Sequence, residues 1–477
     1  MNPRLILLIA GVVSLCFTVD NPQIYAADRP HVLVITADDM GLETNAYGQD
    51  YIPTPQMDRL ASLGVIFDHA YVPQSSCSSS RAAMFTGMYP HQTGQWGLEH
   101  LGFKMKAGVP ILPNLLKKSG YRTAIMGKLH VGSETPFEIT ELEEDLDRSR
   151  WMRRTRHVKR VSERVADFIK QEPDVPAFVK ISYLDPHRPW DRQIAGLPEQ
   201  PLEVQQTPLL SYDPDQTNQW YIRQQANGYL NNMKRLDVGI GMLIDQLQAD
   251  GLFDNTVIIF FGDNGPPLDR AKGTSWEAGV RVPMIMTWPA GNVPQNQRSN
   301  AIVSTMDIFS TVAEITGIEV PQEVPSRSFL DHVRNPNTEF RDLAFTEMNF
   351  HGTDAYRPWR TVSDRRHKVH FRYDLQGNRT VTLYDVVEDP MEQNDLSDNE
   401  DLQSVKQTLV TRLEAWQEET NDPFVHPEFL EDFARLGLTM EEVEATKPYV
   451  PKHSPLRTKP SANQTYADWF IANHIQR

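Results

Sequence analysis

The 477-residue chain has only two cysteines, Cys16 and Cys77. So few thiols in a chain of this length exclude a disulfide-stapled scaffold and any cysteine-rich zinc or iron–sulfur architecture. Basic charge is also scarce: 47 Lys and Arg stand against 63 Asp and Glu, a formal net charge of −16. A general nucleic-acid binder needs a basic face to displace counterions from phosphates, so no nucleic-acid partner is expected. A run long enough to cross a bilayer is missing too. The apolar stretch Leu5 to Val19 is about 15 residues, short of the roughly 20 that a spanning helix needs. With Arg4 ahead of it and Ile24-Tyr25-Ala26 behind, residues 1–26 read as a secretory signal peptide. The expectation is an exported protein, periplasmic or secreted, or lysosomal in a eukaryote, with no transmembrane span in its mature form. That form keeps one cysteine, Cys77, and a lone thiol in an oxidising compartment is either buried and inert or chemically used.

What is present is an apolar chain, 40% hydrophobic, too rich for disorder and too long for one small domain. Short apolar runs alternate with helical periods, the mark of an α/β fold with a mainly parallel sheet. Candidate strands are His31 to Thr36, Arg122 to Met126, Ala177 to Tyr183, Thr256 to Phe261 and Pro283 to Trp288, most of them rich in Val, Ile and Phe. Thr54-Pro55 supplies an N-cap and a first-turn proline ahead of Met57, Leu60 and Leu63, with Gly64 as the stop. Leu112 to Ser119 ends at Gly120; Val161, Val165, Phe168 and Ile169 share a face; a longer stripe from Tyr229 to Leu247 ends near Gly251. Beyond about residue 355, Lys368 to Arg372 and Thr380 to Tyr384 flank a turn at Gly377-Asn378, which predicts an antiparallel hairpin. A helix through Leu402, Val405, Leu409, Leu413 and Trp416 follows. The expected organisation is a signal peptide at 1–26, an α/β catalytic domain at 27–355, an α+β subdomain at 356–444 and an extended tail at 445–477.

Five clusters stand at strand ends or helix starts, where ligands of open α/β sheets gather. Asp38-Asp39 follows the first strand and Asp263-Asn264-Gly265 the fourth. Together they make an oxygen-rich site for a hard cation such as Ca2+ or Mg2+; singly, each is an ordinary turn or cap. Ser75-Ser76-Cys77-Ser78-Ser79-Ser80-Arg81 leads into an apolar run closed by Gly87, a capped short helix with Cys77 at its start. There the helix dipole favours an anion, and Arg81 one turn on is placed to pair with it; the alternative is a capped helix with a buried thiol. Gly127-Lys128-Leu129-His130 and Asp185-Pro186-His187 each put a histidine at a strand end, as acid, base or plain hydrogen-bonder. Lys272, nine residues past Asp263, is either a second cation beside an anionic group or a surface lysine.

Cys77-Ser78-Ser79-Ser80-Arg81, followed by Thr86-Gly87, resembles the signature of type I sulfatases, in which a cysteine within C-x-(P/A)-S-R is oxidised to formylglycine. Companion stretches match in order: Ala37-Asp38-Asp39, Thr54 to Leu60, Gly127-Lys128-x-His130, Asp185-Pro186-His187, Asp263-Asn264-Gly265 with Lys272, Gly279 to Pro283, and Leu383-Tyr384-Asp385 with Asp389-Pro390. Within that family, Gly127 to Gly132 with Glu134-Thr135, and Glu414-Ala415-Trp416 with Thr420 to Pro423, look most like the N-sulfoglucosamine sulfohydrolase (sulfamidase) branch. The resemblance implies an alkaline-phosphatase-like fold, a large mostly parallel sheet flanked by helices with a smaller C-terminal antiparallel sheet. It implies that Cys77, converted to formylglycine (3-oxoalanine) by a maturation enzyme, is the nucleophile as a hydrate. It further implies one Ca2+ held by Asp38, Asp39, Asp263 and Asn264 and touching residue 77. Arg81 and Lys128 would steady hydrate and sulfate, His130 would assist the hydrate, and His187 and Lys272 would face the leaving group. Ser79 departs from the usual Pro or Ala, but it is small enough for the maturation enzyme to accept.

For the substrate, a sulfated sugar or glycosaminoglycan-type polysaccharide, two features offer themselves. Arg148, Arg150, Arg153, Arg154, Arg156, Lys159 and Arg160 form a basic block that either lies along a sulfated polymer or is a solvated helix face paired with the acidic run before it. Glu347, Asn349, His351 and Asp354 either read sugar hydroxyls or an amino group, or are loop polar residues. The rival readings are an O-sulfatase on another polysaccharide, a phosphatase or phosphodiesterase of the same fold, and a glycan-binding relative without catalysis.

Overall fold

The computed structural model describes residues 29–143, 156–351, 358–374 and 376–434. The expected signal peptide, the tail, Asp354 and the arginines at 148, 150, 153 and 154 lie outside the described residues. Eight strands form one sheet: β1 (His31–Asp38), β2 (Val65–Tyr71), β3 (Arg122–Gly127), β4 (Glu141–Glu143), β5 (Ala177–Pro186), β6 (Thr256–Gly262), β7 (Met284–Thr287) and β8 (Gln297–Ser304). Their order across the sheet is β4-β3-β5-β1-β6-β7-β2-β8. All neighbours run parallel except β7, which is antiparallel to both β6 and β2. The central strands β1, β3, β5 and β6 are buried along their whole length, the physical reason they read as continuous apolar runs. β2 carries Asp68 and His69 mid-strand, and β8 begins on exposed polar residues at the sheet edge, so neither has that signature.

Helices cover both faces. On one side lies the 31-residue helix Gln219–Ala249, with Val158–Lys170 packed on it; on the other lie Cys77–Thr86, Leu112–Lys118 and Asp307–Thr316. The helix Pro55–Ser62 starts after Thr54 as expected, but Thr54 does not cap it. Asp237, from the long helix, accepts the Gln56 and Met57 N–H groups at 3.0 and 2.8 Å instead, which ties the two helices together.

A second sheet of four antiparallel strands follows: β9 (Ala344–Met348), β10 (Trp359–Ser363), β11 (His367–Tyr373) and β12 (Arg379–Asp385), in the order β12-β11-β10-β9. The expected hairpin is its β11–β12 pair, with Gly377 at φ +79° in the turn, a left-handed conformation that glycine adopts without strain. The helix Gln403–Glu419 lays Leu409, Leu413 and Trp416 on this sheet.

Candidate active site

The sheet order places β3, β5, β1 and β6 side by side, so four C-terminal strand ends open onto one crevice. β1 delivers Asp38, where a register shift against β5 bends the strand end; Asp39 then turns away at φ +67°. β6 delivers Asp263 and Asn264, β3 delivers Lys128, and β5 delivers His187. Cys77 enters at the N-terminus of its helix, with Arg81 one turn further on.

The side chains interlock. Arg81 holds Asp263 through Nε at 2.9 Å and Nη2 at 2.8 Å, while its Nη1 donates to the Lys128 carbonyl and to Ser182 Oγ, both at 2.9 Å. Lys128 Nζ donates to Asp38 Oδ2 at 2.7 Å. Lys272 Nζ bonds Asp39 Oδ1 and lies 2.9 Å from Cys77 Sγ, which itself lies 3.7 Å from Asp38 Oδ1 and from Asp39 Oδ1. His187 Nε2 stands 3.7 Å from Asp39 Oδ2. Lys272 is thus a largely buried member of the cluster and not a surface lysine.

Three buried carboxylates therefore face three fixed cations, Arg81 and Lys128 buried and Lys272 with 11% of its side chain exposed. Burial pushes Asp38 up, but Lys128, His187, Arg81 and Lys272 together outweigh it and hold the carboxyl well below the usual range. Asp263 goes the other way: burial and the Asp38 charge push it to about 6 against the pull of Arg81. Burial also pushes the Cys77 thiol to about 12, despite Lys128 and Lys272. As a thiol, residue 77 is a poor nucleophile at neutral pH.

The cluster fits a cation. Asp39 Oδ2 and Asn264 Oδ1 are buried acceptors with no hydrogen-bond donor, an arrangement that costs free energy unless a positive charge fills it. One ligand atom each from Asp38, Asp39, Cys77 and His187 lies within 4.8 Å of the others. Asn264 is anchored alongside by its Nδ2, which donates to Asp39 Oδ1 at 2.9 Å. Asp263 is more occupied than expected of a metal ligand, since Oδ1 accepts the Asp39 N–H at 2.9 Å and Oδ2 belongs to Arg81.

Other expected residues divide. His351 does line the cluster: its Nδ1 is 3.1 Å from Ser76 Oγ, next to Cys77, and burial with the Lys272 charge pushes it down to about 3. Glu347 does not. It is fully buried, its carboxylate taken by the His91 ring, by the His91 N–H at 2.8 Å and by Asn349 Nδ2 at 3.0 Å, so it braces the second sheet instead of facing a sugar. Asn349 is buried in the same network. Arg156 also departs from expectation: far from belonging to a polymer-binding face, it is buried with Nε 3.1 Å from Asp185 Oδ1 and Nη2 donating to the His187 carbonyl at 2.5 Å. Lys159 is solvent-exposed and pairs with Glu163 one turn on, the solvated-face alternative.

The partners of Asp185 and His187, namely Arg235 and Asn232, and the Lys180–Ser182 pair were not singled out from sequence. Asp185 takes both Arg235 Nε and Nη2 at 2.7 Å, and Asn232 donates to the His187 carbonyl at 3.1 Å, so the long helix fixes His187 from below. Lys180 and Arg81 both donate to Ser182 Oγ, at 3.0 and 2.9 Å. Lys180 and Ser182 lie inside the apolar run of β5, and Arg235 and Asn232 on the long helix among other polar residues, so nothing local marks their partners.

A family model described as Sulfatase matches residues 30–318, more than half of the chain and every residue of the carboxylate–cation cluster around Cys77. The chain belongs to the sulfatase family. A second model, N-sulphoglucosamine sulphohydrolase, C-terminal, matches this sulfatase over residues 271–419, which include the whole second sheet. Among curated relatives, the human N-sulphoglucosamine sulphohydrolase is 28% identical, covering 83% of this sulfatase and 92% of the human protein. An ulvan-active sulfatase of Formosa agariphila is 24% identical over 83% of this chain and 81% of its own. Among solved structures, a protein bound to its substrate D-glucosamine-2-N,6-O-disulfate superposes with a TM-score of 0.68 at 19% identity, covering 83% of this chain and 98% of that one. The phosphonate monoester hydrolase of Agrobacterium radiobacter superposes with a TM-score of 0.70 at 18% identity, over 82% of this sulfatase and 96% of its own chain. The alkaline-phosphatase-like fold is thus shared across different ester chemistries, and the fold alone does not choose among them.

Proposed function

We propose that this sulfatase removes sulfate from sulfated sugars of a glycosaminoglycan-type polysaccharide, acting as an exo enzyme on N-sulfate in the manner of a sulfamidase. The observation that carries the reading is the balanced cluster of three carboxylates and three cations around Cys77, with two buried acceptors open for a metal. One Ca2+ would be held by Asp38, Asp39 and Asn264, with Asp263 and residue 77 beside them. Bound there, the ion would polarise a sulfate oxygen as a Lewis acid, and conversion of Cys77 to formylglycine would supply a hydrate oxygen as nucleophile where the thiol is unreactive. Arg81 and Lys128 present fixed positive charge to the sulfate oxygens, already oriented by Asp263 and Asp38 before substrate arrives. His187 and Lys272 stand on either side of Asp39, placed to deliver a proton to the leaving nitrogen or oxygen. His130 attends the hydroxyl at residue 77, and His351 borders the same crevice.

The N-sulfate preference is supported by the match of residues 271–419 to the sulphohydrolase C-terminal model. Sulfate release from a panel of defined N- and O-sulfated sugars tests it, and cleavage of O-sulfated sugars alone would sink the sulfamidase reading in favour of an O-sulfatase. Mass spectrometry of the peptide spanning Cys77 tests the maturation step, and an unmodified thiol in active enzyme would overturn the nucleophile. The structural likeness to a phosphonate monoester hydrolase keeps a second reading in view. An aryl phosphate or phosphonate hydrolysed faster than an aryl sulfate would favour it. A C-terminal subdomain, whose sheet begins with β9 at Ala344 ahead of the expected division at residue 355, and export directed by residues 1–26 belong to the same proposal.

A further inference from the structure

His130 has a partner that the sulfatase reading does not use. His100, in the one-turn helix Glu99–Leu101, sets its ring almost parallel to that of His130, at 8° and 5.4 Å between centroids. His100 Nδ1 and His130 Nε2 face each other at 3.2 Å. The pair is built rather than accidental. The Glu99 N–H donates to Ser78 Oγ at 3.0 Å, tying the His100 turn to the residue after Cys77. Gln95 spans both loops, donating to the Gly97 and Phe103 carbonyls at 2.8 and 2.9 Å and accepting the Gly132 N–H at 3.0 Å. His130 itself is held at φ +51°, a left-handed conformation uncommon outside glycine that persists only where its surroundings enforce it.

Two imidazoles facing nitrogen to nitrogen at this distance share one hydrogen-bonding proton, and which ring donates it decides the state of the far nitrogen of His130. The far nitrogen of His130, Nδ1, is buried and has no hydrogen-bond partner. An orphaned N–H donor in such a place is less tolerable than an orphaned lone pair. Burial, then Lys128 and Arg81, push the ring down to about 2, so it is neutral and the nearby positive charge favours a lone pair there. We infer that His100 is a positioning residue: it accepts the Nε2–H of His130 and thereby leaves His130 Nδ1 bare, an acceptor waiting inside the site beside the Lys128–Asp38 pair. This rests on the sulfatase reading, in which His130 receives a hydrogen bond from the hydroxyl at residue 77.

The test begins with a spectroscopic measurement that needs no turnover. In the full-length chain with Cys77 unconverted and histidines labelled with 15N, long-range proton–nitrogen correlations report the tautomer of His130. The expected result is a proton on Nε2 and a bare Nδ1, with His100→Phe, which keeps a stacked ring but offers no acceptor, shifting His130 toward the other tautomer. In converted enzyme, His100→Phe should lower kcat on an aryl sulfate about tenfold with KM within about twofold, and His100→Asn, which restores an acceptor, should recover most of the loss. If His100→Phe does not fold, His100→Ala takes its place in both measurements. A proton on Nδ1 in the parent, a tautomer unmoved by the substitution, or a moved tautomer with unchanged kcat would each overturn the inference. Failure of the sulfatase reading looks different: the converted parent releases no sulfate while the tautomer result stands.

Discussion

Two buried ionic networks in this protein invite comparison. Both centre on an arginine clamped to an aspartate: Arg81 to Asp263 at the ends of the parallel strands, and Arg360 to Asp422 at 2.6 and 2.8 Å behind the antiparallel sheet. In the second network every polar group is answered. Arg360 Nη1 donates to Asn349 Oδ1 at 2.9 Å, Asn349 to Gln74 Oε1 and to Glu347, Glu347 accepts from His91, and Gln417 donates to Asp422 at 2.8 Å. None of these atoms is left without a partner, and Phe424 covers the guanidinium at 4.6 Å. The Cys77 network, whose carboxylates are as deeply buried, leaves Asp39 Oδ2 and Asn264 Oδ1 unanswered. A closed network serves packing, because its desolvation cost is already offset; an open one holds a place for something absent from the polypeptide. Gln74 joins the two, donating to Ser79 Oγ at 3.1 Å on the nucleophile helix while accepting from Asn349. The second sheet thereby braces the segment that carries Cys77.

The comparison can be broken most directly by substitution. Cys77→Ala should reduce sulfate release at least a thousandfold while leaving the thermal midpoint within a few degrees, since Cys77 belongs to none of the apolar clusters of the core; roughly this scale is what loss of a nucleophile costs. Comparable residual turnover would mean that the open network is not the reactive one. Arg360→Ala should do the reverse. Leaving Asp422 buried and unpaired is expected to cost about 3–5 kcal/mol in urea unfolding, with turnover per folded molecule falling far less than for Cys77→Ala. Should Arg360→Ala be neutral in stability, the closed network is not structural.

Calcium sharpens the contrast further. Added at about 100 times its dissociation constant, it should stabilise the protein by about 2.7 kcal/mol, read as a rise in melting temperature. Asp39→Asn should abolish that rise, whereas Glu347→Gln should lower the starting stability and leave the rise intact. The smallest expected effect is in pH dependence, where the two aspartates have opposite signs. Burial raises Asp422, but Arg360 outweighs it and holds the carboxyl below 3.8, so its contribution is present above the unfolded value and lost as pH falls through the folded one. Asp263 is raised to about 6, so in calcium-free protein stability falls as pH climbs from about 4 to 6, and Asp263→Asn should remove that fall. Urea titrations of Asp422→Asn and Asp263→Asn between pH 3 and 7 check both limbs, and the same sign in both would erase the distinction.

Much of this was legible in the chain and some was not, for definite reasons. The central strands could be read because burial on both faces demands unbroken Val, Ile and Phe. β9 and β10 could not, because Glu347, Thr346, Arg360 and Thr361 are polar residues buried by one another, and their partners lie far away in sequence. The same cause made Glu347 look available to a sugar. Arg156 stood in a run of arginines and had no local mark of the Asp185 pairing that buries it. His100 was overlooked because its partner, His130, is 30 residues away and joined to it only by the folding of two loops.

By itself the sequence determined which chemistry is on offer: Asp38-Asp39, Cys77 with Arg81, Lys128, His187 and Asp263-Asn264, each at a strand end or helix start where local propensity puts it. Spacing along the chain sets which residues end a strand, since that follows from short-range pattern. Only the tertiary structure decided what those residues do to one another. The strand order β3-β5-β1-β6 brings four ends into one crevice, and burial there converts ordinary turn residues into a cluster whose charges balance and whose lone pairs are left waiting. Whether a buried polar group is closed or open depends on partners supplied across the fold, and that is a property of three dimensions.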